Sequence, residues 1–290
     1  MPTLSGNNDR FAANGWAASS NVWNPGGYQN GRDFTQTITT GTAFPGGTTI
    51  SWNWPYDSRR ALTYDNYPVR AYPELTYGTS PWGGPSTTAN LPARIGDVRN
   101  LDITYDFATT GDPRLFNVAF SLWISDDPSK GLAGVTDEVM VWLHSGYFTP
   151  AGDKVATLTD KTGAATLWSK KNFNGGVDTN QTDWDYTAVK YDKDQLSGTF
   201  DVDGLMKTLV DRGIVAKDDW LLGVQVGAEV AAGRGSLDMK TLAASFAGPP
   251  PAAADPAGTA GMPAPSPAPT PAAALLTRPD SAVAAPPLLS

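Results

Sequence analysis

The three glutamates are the residues of this chain whose type and placement are most informative about chemistry. Of its 29 acidic residues, only Glu74, Glu138 and Glu229 are glutamates. Aspartate supplies all the other acids, so each glutamate needs an explanation of its own. Two carboxyl groups facing one cleft are what glycoside hydrolysis requires: one attacks the anomeric carbon or activates water, and the other protonates the leaving oxygen.

Glu138 lies in an apolar segment that is typical of a β-strand. Strand side chains alternate between two faces, so Val139, Val141 and Leu143 share one side. Glu138, Met140 and Trp142 share the other side. A carboxylate beside a thioether and an indole is unusual for a solvated face, and the pattern favours the floor of a cleft.

Glu229 lies in a second strand-like segment of the same kind. Its valines and Ala228 share one face, and the opposite face carries Gly223, Gln225, Gly227 and Glu229. Glycine inside a strand often marks a close approach to the backbone, so this face suits a polar ligand. Both glutamates are therefore expected mid-strand on a polar face. Paired catalytic carboxylates and two unrelated solvent-facing residues both remain open on this evidence.

The elements that must position these residues are mostly β-strands. The candidates are Asp33–Thr40, Thr48–Trp54, Val98–Phe107, Phe116–Ile124, Glu138–His144, Lys154–Leu158 and Leu221–Val230. One helix is predicted over Val202–Val215, with Asp201 or Asp203 as its cap and Gly213 at its end. Many short strands with one helix predict an all-β sandwich or jelly roll.

The composition divides the chain into two regions. Residues 1–247 carry all the aromatic residues and are expected to form the catalytic domain. Residues 248–290 carry half of the chain's 24 prolines and no aromatic residue. Such a segment favours extended polyproline II and is predicted to be a disordered tail or linker, either idle or a tether to a binding module.

Composition also excludes several classes of function. The chain has no cysteine and a single histidine, His144, so disulfides, thiolate metal sites and multi-histidine zinc sites are excluded. The net charge of −8 argues against nucleic acid as a partner. No apolar run is long enough to span a bilayer, and the segment starting at Met1 does not resemble a signal peptide.

Four segments, in order, resemble glycoside hydrolase family 12. They are Asn21-Val22-Trp23, then Ser51-Trp52-Asn53-Trp54-Pro55 with Val69-Arg70-Ala71-Tyr72-Pro73, then Glu138-Val139-Met140-Val141-Trp142, and last Gly223-Val224-Gln225-Val226-Gly227-Ala228-Glu229. The resemblance implies a β-jelly roll of two stacked, curved antiparallel sheets that form a substrate cleft, with one packed α-helix. It also implies endo-acting hydrolysis of β-glucans.

The resemblance assigns roles to individual residues. Glu138 would be the nucleophile of a retaining mechanism, and Glu229 the general acid/base. Asn21 and Trp23 would contact sugar on the non-reducing side of the cleft. Met140 and Trp142 would shape the cleft beside the nucleophile, and Gln225 would contribute to substrate binding. This chemistry needs no cofactor and no metal.

Ser121 departs from the family pattern. It occupies a position where the family usually has an aspartate that hydrogen-bonds the nucleophile. A hydroxyl can still donate to Glu138, but the nearby like charge is missing, so we expect altered tuning of the nucleophile and a changed pH profile.

Three other polar residues are expected to lie outside the catalytic pair. Glu74 follows Tyr72-Pro73 and is expected at a surface position near the cleft. His144 falls on the Glu138 face and is expected to be solvated or structural. Asp137 is expected at the strand start, facing the opposite side.

The predicted function is retaining endo-hydrolysis of β-1,4-linked glucans such as cellulose or mixed-linkage β-glucan. Xyloglucan, which has the same backbone, is the alternative substrate. A lectin-like jelly roll that binds glucan without cutting it is the alternative from another class. Because polymeric glucans lie outside the cell, we expect a secreted monomer whose partner is polysaccharide, not nucleic acid or a membrane.

Overall fold

The computed structural model of the chain describes residues 1–56, 69–146, 148–159, 163–173 and 183–246. All of them belong to one compact unit, Met1–Pro250. The predicted tail, 248–290, lies outside the described residues, so the division of the chain at residue 247 stays a prediction.

Sixteen strands, one α-helix and two 3₁₀ segments, Ile95–Asp97 and Pro128–Gly134, make up the regular structure of the described residues. The strands are β1 (Thr3–Leu4), β2 (Arg10–Ala13), β3 (Trp16–Ser19), β4 (Thr35–Thr39), β5 (Thr48–Trp54), β6 (Glu74–Gly78), β7 (Ala93–Arg94), β8 (Leu101–Gly111), β9 (Val118–Ser125), β10 (Val135–His144), β11 (Asp153–Thr159), β12 (Ala164–Phe173), β13 (Trp184–Tyr191), β14 (Ser197–Asp201), β15 (Trp220–Gly227) and β16 (Gly233–Phe246). The helix α1 spans Val202–Asp211. The predicted all-β fold with one helix is confirmed.

The strands form two sheets that share one core. The six-stranded sheet has the order β1-β4-β5-β16-β8-β14. The ten-stranded sheet has the order β11-β12-β13-β10-β9-β15-β6-β3-β2, with β7 paired to β15. Apolar side chains of both sheets, such as Ile50 and Ile103 on one and Val139 and Val224 on the other, join a single buried cluster. This is the predicted jelly roll.

One strand pair departs from the antiparallel pattern. Strand β10, which carries Glu138, pairs antiparallel with β9 and parallel with β13. Parallel pairing requires a long connection between the two strands. Here the connection contains β11 and β12, which extend the sheet beyond β13. Strand β10 is therefore an interior strand with a neighbour on each side.

Helix α1 begins where the sequence predicted and ends earlier. The Asp201 carboxylate accepts the backbone N–H of Gly204 at 2.8 Å, which caps the first turn. Gly213 has a φ of +68°, and the N–H of Ile214 donates to the carbonyl of Leu209. These are the features of a glycine-terminated helix, so the last turn closes before Val215. No helix in the described part of the chain is long and apolar enough to cross a membrane.

Candidate active site

The ten-stranded sheet has an inner face in the core and an outer face turned away from it. Val139, Val141 and Leu143 lie in the core, as do Val224 and the other apolar residues of the Glu229 segment. Met140 and Trp142 belong to a separate cluster on the outer face. The predicted division of both segments into a core face and an opposite face is confirmed.

Strand register brings outer-face residues together from segments far apart in the chain. One row across the sheet contains Tyr186, Glu138, Trp123 and Gly223. The next contains Ala188, Met140, Ser121, Gln225 and Thr76. A third contains Trp142, Ala119, Gly227 and Glu74. Because residues opposite each other on paired strands share a face, these rows form one continuous surface.

Glu138 lies near the middle of this surface and is 9% exposed. Ser121 donates its hydroxyl proton to Oε1 at 3.1 Å, and the Trp184 indole N–H donates to Oε2 at 3.2 Å. The pKa of Glu138 is raised to about 8, chiefly by burial and next by the Glu229 carboxyl, against the two hydrogen bonds, which lower it. Both oxygens of this carboxyl are thus oriented by the protein.

Glu229 is held differently, because it lies two residues beyond the end of β15. The expectation that it sits mid-strand was wrong; the pairing of β15 with β6 and β9 stops at Gly227. Asn117 holds it instead. The Glu229 backbone N–H donates to Asn117 Oδ1 at 3.0 Å, the Asn117 backbone N–H donates to the Glu229 carbonyl at 3.0 Å, and the Asn117 amide donates to the carboxylate.

Glu74 joins the other two glutamates, contrary to the expectation of a surface position. It is 3% exposed, because β6 is an interior strand between β15 and β3 and other chain segments cover its outer face. Asn21 Nδ2 donates to Glu74 Oε2 and Gln225 Nε2 donates to Oε1, each at 3.1 Å. Burial raises the pKa of Glu74 to about 8. All three glutamates of the chain therefore meet on one surface.

The buried Tyr72 lies close to all three glutamates. Tyr72 donates its hydroxyl proton to the Ala119 carbonyl at 3.0 Å. Burial raises its pKa well above the ordinary value, and the carboxyls of Glu74, Glu229 and Glu138 each raise it further. One phenol is thus within electrostatic range of all three carboxyl groups.

Gly223 and Gly227 leave room for the backbone at the two ends of the neighbouring strand β6. A Cβ at Gly223 would lie 2.7 Å from the Thr79 carbonyl oxygen, and one at Gly227 would lie 2.2 Å from the Pro73 carbonyl oxygen. The prediction that something approaches these glycines closely is correct, but the approaching atoms are protein backbone and not a ligand.

Aromatic clusters lie on both sides of Glu138. On one side Trp123 packs edge-on against Trp184 at 5.3 Å between centroids and against Trp82 at 5.7 Å; Trp82 is 42% exposed. On the other side Met140 and Trp142 are buried with Phe148 and Tyr186, and Trp23 packs on them partly exposed. Exposed rings at the margins of a polar surface can stack on sugar rings.

Comparison with known proteins agrees with this geometry. The sequence model described as glycosyl hydrolase family 12 matches residues 14–247, which is most of the chain. The protein belongs to glycosyl hydrolase family 12.

Individual relatives are distant in sequence and close in fold. Endoglucanase S of Pectobacterium parmentieri is 25% identical over 236 residues, covering 79% of this chain and 81% of the relative. A family 12 xyloglucanase from Bacillus licheniformis superposes with a TM-score of 0.73 at 20% identity, covering 84% of this chain and 100% of that chain. Endoglucanase 3 of Trichoderma harzianum superposes with a TM-score of 0.68 at 20% identity, covering 84% of this chain and 97% of that chain.

Membership of family 12 makes the protein a glycoside hydrolase whose substrate is a polysaccharide. Within the described residues, the three glutamates included, no group of three or more Asp, Glu or His side chains could hold a metal ion. The arrangement therefore offers carboxyl groups, amides and aromatic rings for chemistry and binding.

The remaining predicted residues of this family 12 protein occupy defined places. Asn21 is partly exposed and donates to Glu74. Gln225 is 1% exposed; its Oε1 accepts the Trp123 indole N–H at 2.7 Å and its Nε2 donates to Glu74. Gln225 thus links two protein groups, although a role in substrate binding was predicted for it.

His144 and Asp137 lie outside this constellation. The His144 ring is hydrogen-bonded to Asp194 at 3.0 Å and to the Pro113 carbonyl at 2.6 Å, contacts that suit the predicted structural role. Asp137 is the third residue of β10 and is buried at 6% exposure, and burial raises its pKa to about 6.

Sequence reasoning missed Asn117 and Trp184, which orient the two predicted catalytic carboxyls. Asn117 gave one signal, since it lies four residues before Ser121 and so falls on the same face of a strand. Trp184 gave none, because its strand β13 was not predicted and its parallel pairing with β10 is a tertiary feature.

Proposed function

We propose that the protein is a retaining endo-hydrolase of β-1,4-linked glucans, with Glu138 as nucleophile and Glu229 as general acid/base. The observation that carries the proposal is the electrostatic coupling of these two buried carboxyls on one outer face, between two aromatic clusters. Family 12 membership supports glycoside hydrolysis, and the segment around Glu138 supports the assignment of the nucleophile.

The hydrogen-bond partners favour this division of roles. Like charges disfavour ionisation of both carboxyls at once, so the pair holds one proton over an interval of pH and titrates as a unit. Glu138 receives one donor on each oxygen, from Ser121 and Trp184. Donors on both oxygens stabilise a carboxylate, which places the negative charge on Glu138 and the proton on Glu229.

The first chemical step forms a glycosyl-enzyme. A Glu138 oxygen bonds to the anomeric carbon as the bond from that carbon to the leaving sugar's oxygen breaks, and Glu229 gives its proton to that oxygen. In the second step Glu229, now a carboxylate, takes a proton from water. The water oxygen bonds to the anomeric carbon, and the ester bond to Glu138 breaks. Two inversions retain the β configuration.

Substrate polymer and location follow from the same chemistry. Rings such as Trp82 and Trp23 at the margins of the surface suit stacking along a glucan chain, which favours internal cleavage of a polymer. Because such polymers are extracellular, we propose that the enzyme is secreted and acts as a monomer. Xyloglucan is the second candidate substrate, since structural relatives of this fold are named xyloglucanases.

The test has two parts. Reducing-sugar release is measured on carboxymethylcellulose, barley β-glucan and xyloglucan with wild type, Glu138→Ala and Glu229→Ala, and the polymer cleaved fastest identifies the substrate. The anomeric form of the first product of cellopentaose hydrolysis is followed by NMR. We expect activity that collapses in both variants, and a β-anomer that appears first. An α-anomer appearing first would overturn retention. A wild type that binds all three polymers and cleaves none would indicate a lectin.

Retention also makes a geometric demand. The two carboxyl groups must lie about 5–5.5 Å apart, whereas an inverting pair lies about 6.5–9.5 Å apart to admit water. A crystal structure with a trapped 2-fluoro-glycosyl intermediate would show which residue carries the ester bond.

A further inference from the structure

Glu74 is the most buried of the three glutamates, and the two-carboxylate mechanism does not use it. It is 3% exposed, against 9% for Glu138 and 8% for Glu229. Burying a carboxyl group costs free energy unless its partners compensate, and a small or apolar residue would fill an interior strand position without that cost. Its two amide partners therefore indicate what Glu74 does.

The Gln225 partner has a fixed orientation. An indole N–H is only a donor, so the atom of Gln225 that contacts Trp123 Nε1 at 2.7 Å must be the carbonyl oxygen Oε1. The amide nitrogen Nε2 must then point the other way, where it donates to Glu74 Oε1 at 3.1 Å and approaches Ser80 Oγ at 3.5 Å. Glu74 thus acts as an acceptor at Oε1.

The Asn21 partner is held at its backbone as well as its side chain. Asn21 adopts a left-handed conformation with a φ of +37°, and its carbonyl accepts the backbone N–H of Tyr72 at 3.0 Å. Its Nδ2 donates to Glu74 Oε2 at 3.1 Å. Asn21 is partly exposed, and two residues later Trp23 packs on the cluster of Met140 and Trp142. The hydrogen bonds that link Trp123, Gln225, Glu74 and Asn21 therefore end at Asn21, on the accessible margin of the site.

We propose that Glu74 is a positioning residue that fixes the Asn21 amide for the hydroxyl groups of a glucan unit and, through Gln225, fixes the Trp123 ring. This inference rests on the proposed glucan hydrolysis. Trp123 packs against Trp82 and against Trp184, the donor to Glu138. The sequence of contacts Asn21–Glu74–Gln225–Trp123 thus joins the two sides of the surface that flank the nucleophile.

The charges around Glu74 connect this role to the reaction cycle. Arg10 and the Asn21 hydrogen bond favour the ionised form of Glu74, whereas burial and the Glu138 carboxyl raise its pKa. When Glu138 becomes an ester in the glycosyl-enzyme, its negative charge is lost. Ionised Glu74 is then favoured, and hydrogen bonds to a charged acceptor are the stronger ones. The Asn21 amide is therefore held most firmly in the intermediate.

Glu74→Gln tests orientation with little change in volume. Gln225 still needs an acceptor at residue 74, so the new amide nitrogen faces Asn21 and forces its amide to turn over. We expect kcat/KM for cellopentaose to fall about 10-fold, the size of one hydrogen bond to a charged group. The loss is expected mainly in KM, with a shifted distribution of cleavage positions and a Tm no lower than that of the wild type.

Asn21→Ala is the second variant, and its Tm is measured alongside KM because alanine disfavours the left-handed backbone of Asn21. We expect a loss similar to that of Glu74→Gln, and a double variant no worse than either single one, because both changes remove the same positioned amide. Thr49→Val is the matched control. Thr49 donates its hydroxyl proton to Asp238 at 2.8 Å, a contact between two strands of the six-stranded sheet. It is expected to lower Tm and leave KM and the cleavage pattern unchanged.

The outcomes separate the two proposals. A wild type without glucanase activity would overturn the proposed function and this inference with it. An active wild type whose KM and cleavage pattern survive Glu74→Gln would overturn the inference alone. Losses that multiply in the Glu74→Gln, Asn21→Ala double variant would also overturn it, because the two residues would then act independently.

Discussion

Glu138 and Glu229 face the same surface but are held by different kinds of structure. Glu138 lies inside β10, with strands on both sides, and side chains of β9 and β13 donate to its two oxygens. Glu229 lies beyond the end of β15, and a single residue, Asn117, contacts its backbone N–H, its carbonyl and its carboxylate.

The difference suits the proposed roles. A nucleophile must present one oxygen to the anomeric carbon at a fixed distance, and an interior strand with a donor on each carboxyl oxygen provides that rigidity. A general acid/base must give up and recover a proton without losing its place. Asn117 meets this need, because its contacts to the backbone of residue 229 do not depend on the charge of the carboxyl group.

The largest expected effects are the losses of activity in Glu229→Ala and Glu138→Ala, and the glycosyl azide that each variant forms distinguishes the roles of the two carboxyls. We expect the activity of Glu229→Ala on glucans to fall about 10²–10⁴-fold, the range for loss of a general acid, and the activity of Glu138→Ala to fall at least as much. A dinitrophenyl β-cellobioside has a leaving group that departs without protonation. With this substrate, azide should restore the activity of both variants. Azide fills the vacated space, so Glu229→Ala should give the β-azide and Glu138→Ala the α-azide. The opposite configurations, determined by NMR, would exchange the two roles.

Asn117→Ala tests whether one residue positions the acid/base. Glu229 would lose the amide that donates to its carboxylate and the acceptor for its backbone N–H, so we expect kcat on β-glucan to fall about 10- to 100-fold. The dinitrophenyl substrate should lose much less, since its leaving group needs no proton. Asn30→Ala, which removes an exposed amide donating to the Ser5 carbonyl, serves as the control. Equal losses on both substrates would show general misfolding of the site.

Ser121→Ala tests the tuning of the nucleophile. The Ser121 hydroxyl stabilises ionised Glu138, so its removal raises the pKa of Glu138 further and moves the acidic limb of the pH–rate profile to higher pH. We expect a loss of about 3- to 10-fold at pH 5, the size of one hydrogen bond, and a smaller loss at pH 8. Ser125→Ala on the same strand should leave the profile in place. A loss that is equal at all pH values would rule out tuning.

The smallest expected effect concerns stability. Because the folded state raises the pKa of Glu138 from 4.5 to about 8, it disfavours the ionised carboxyl, and stability falls as pH rises from about 4.5 to 8. Glu138→Gln removes this penalty, so its Tm should exceed that of the wild type by about 2–4 °C per kcal/mol regained, and the excess should grow from pH 5 to pH 8.

An exposed carboxyl provides the control for that measurement. Arg114 lowers the pKa of Asp112 to about 2, so Asp112 stays ionised in both states across this range and Asp112→Asn should give a difference in Tm that does not depend on pH. A Glu138→Gln difference equally flat between pH 5 and pH 8 would contradict the penalty that burial places on the ionised form of Glu138.

The order of residues in each strand is enough to predict which of its faces is apolar. The alternation over residues 138–143 and 223–230 separated core from outer face correctly, because side-chain direction within a regular strand follows the two-residue period. The predicted bounds of β5 were correct, and Asp201 and Gly213 marked the start and end of helix α1. The scarcity of glutamate also directed attention to the residues that meet in the site.

The way those residues meet depends on the arrangement of the strands in three dimensions. Glu229 and Asn117 are 112 residues apart, and Gln225 and Glu74 are 151 apart. Such pairs depend on which strands become neighbours and in what register, and a pattern within one strand carries neither. The same reason explains the wrong expectation for Glu74: its place after Tyr72-Pro73 does not reveal which strands flank it, and the position of β6 inside the sheet is what buries it.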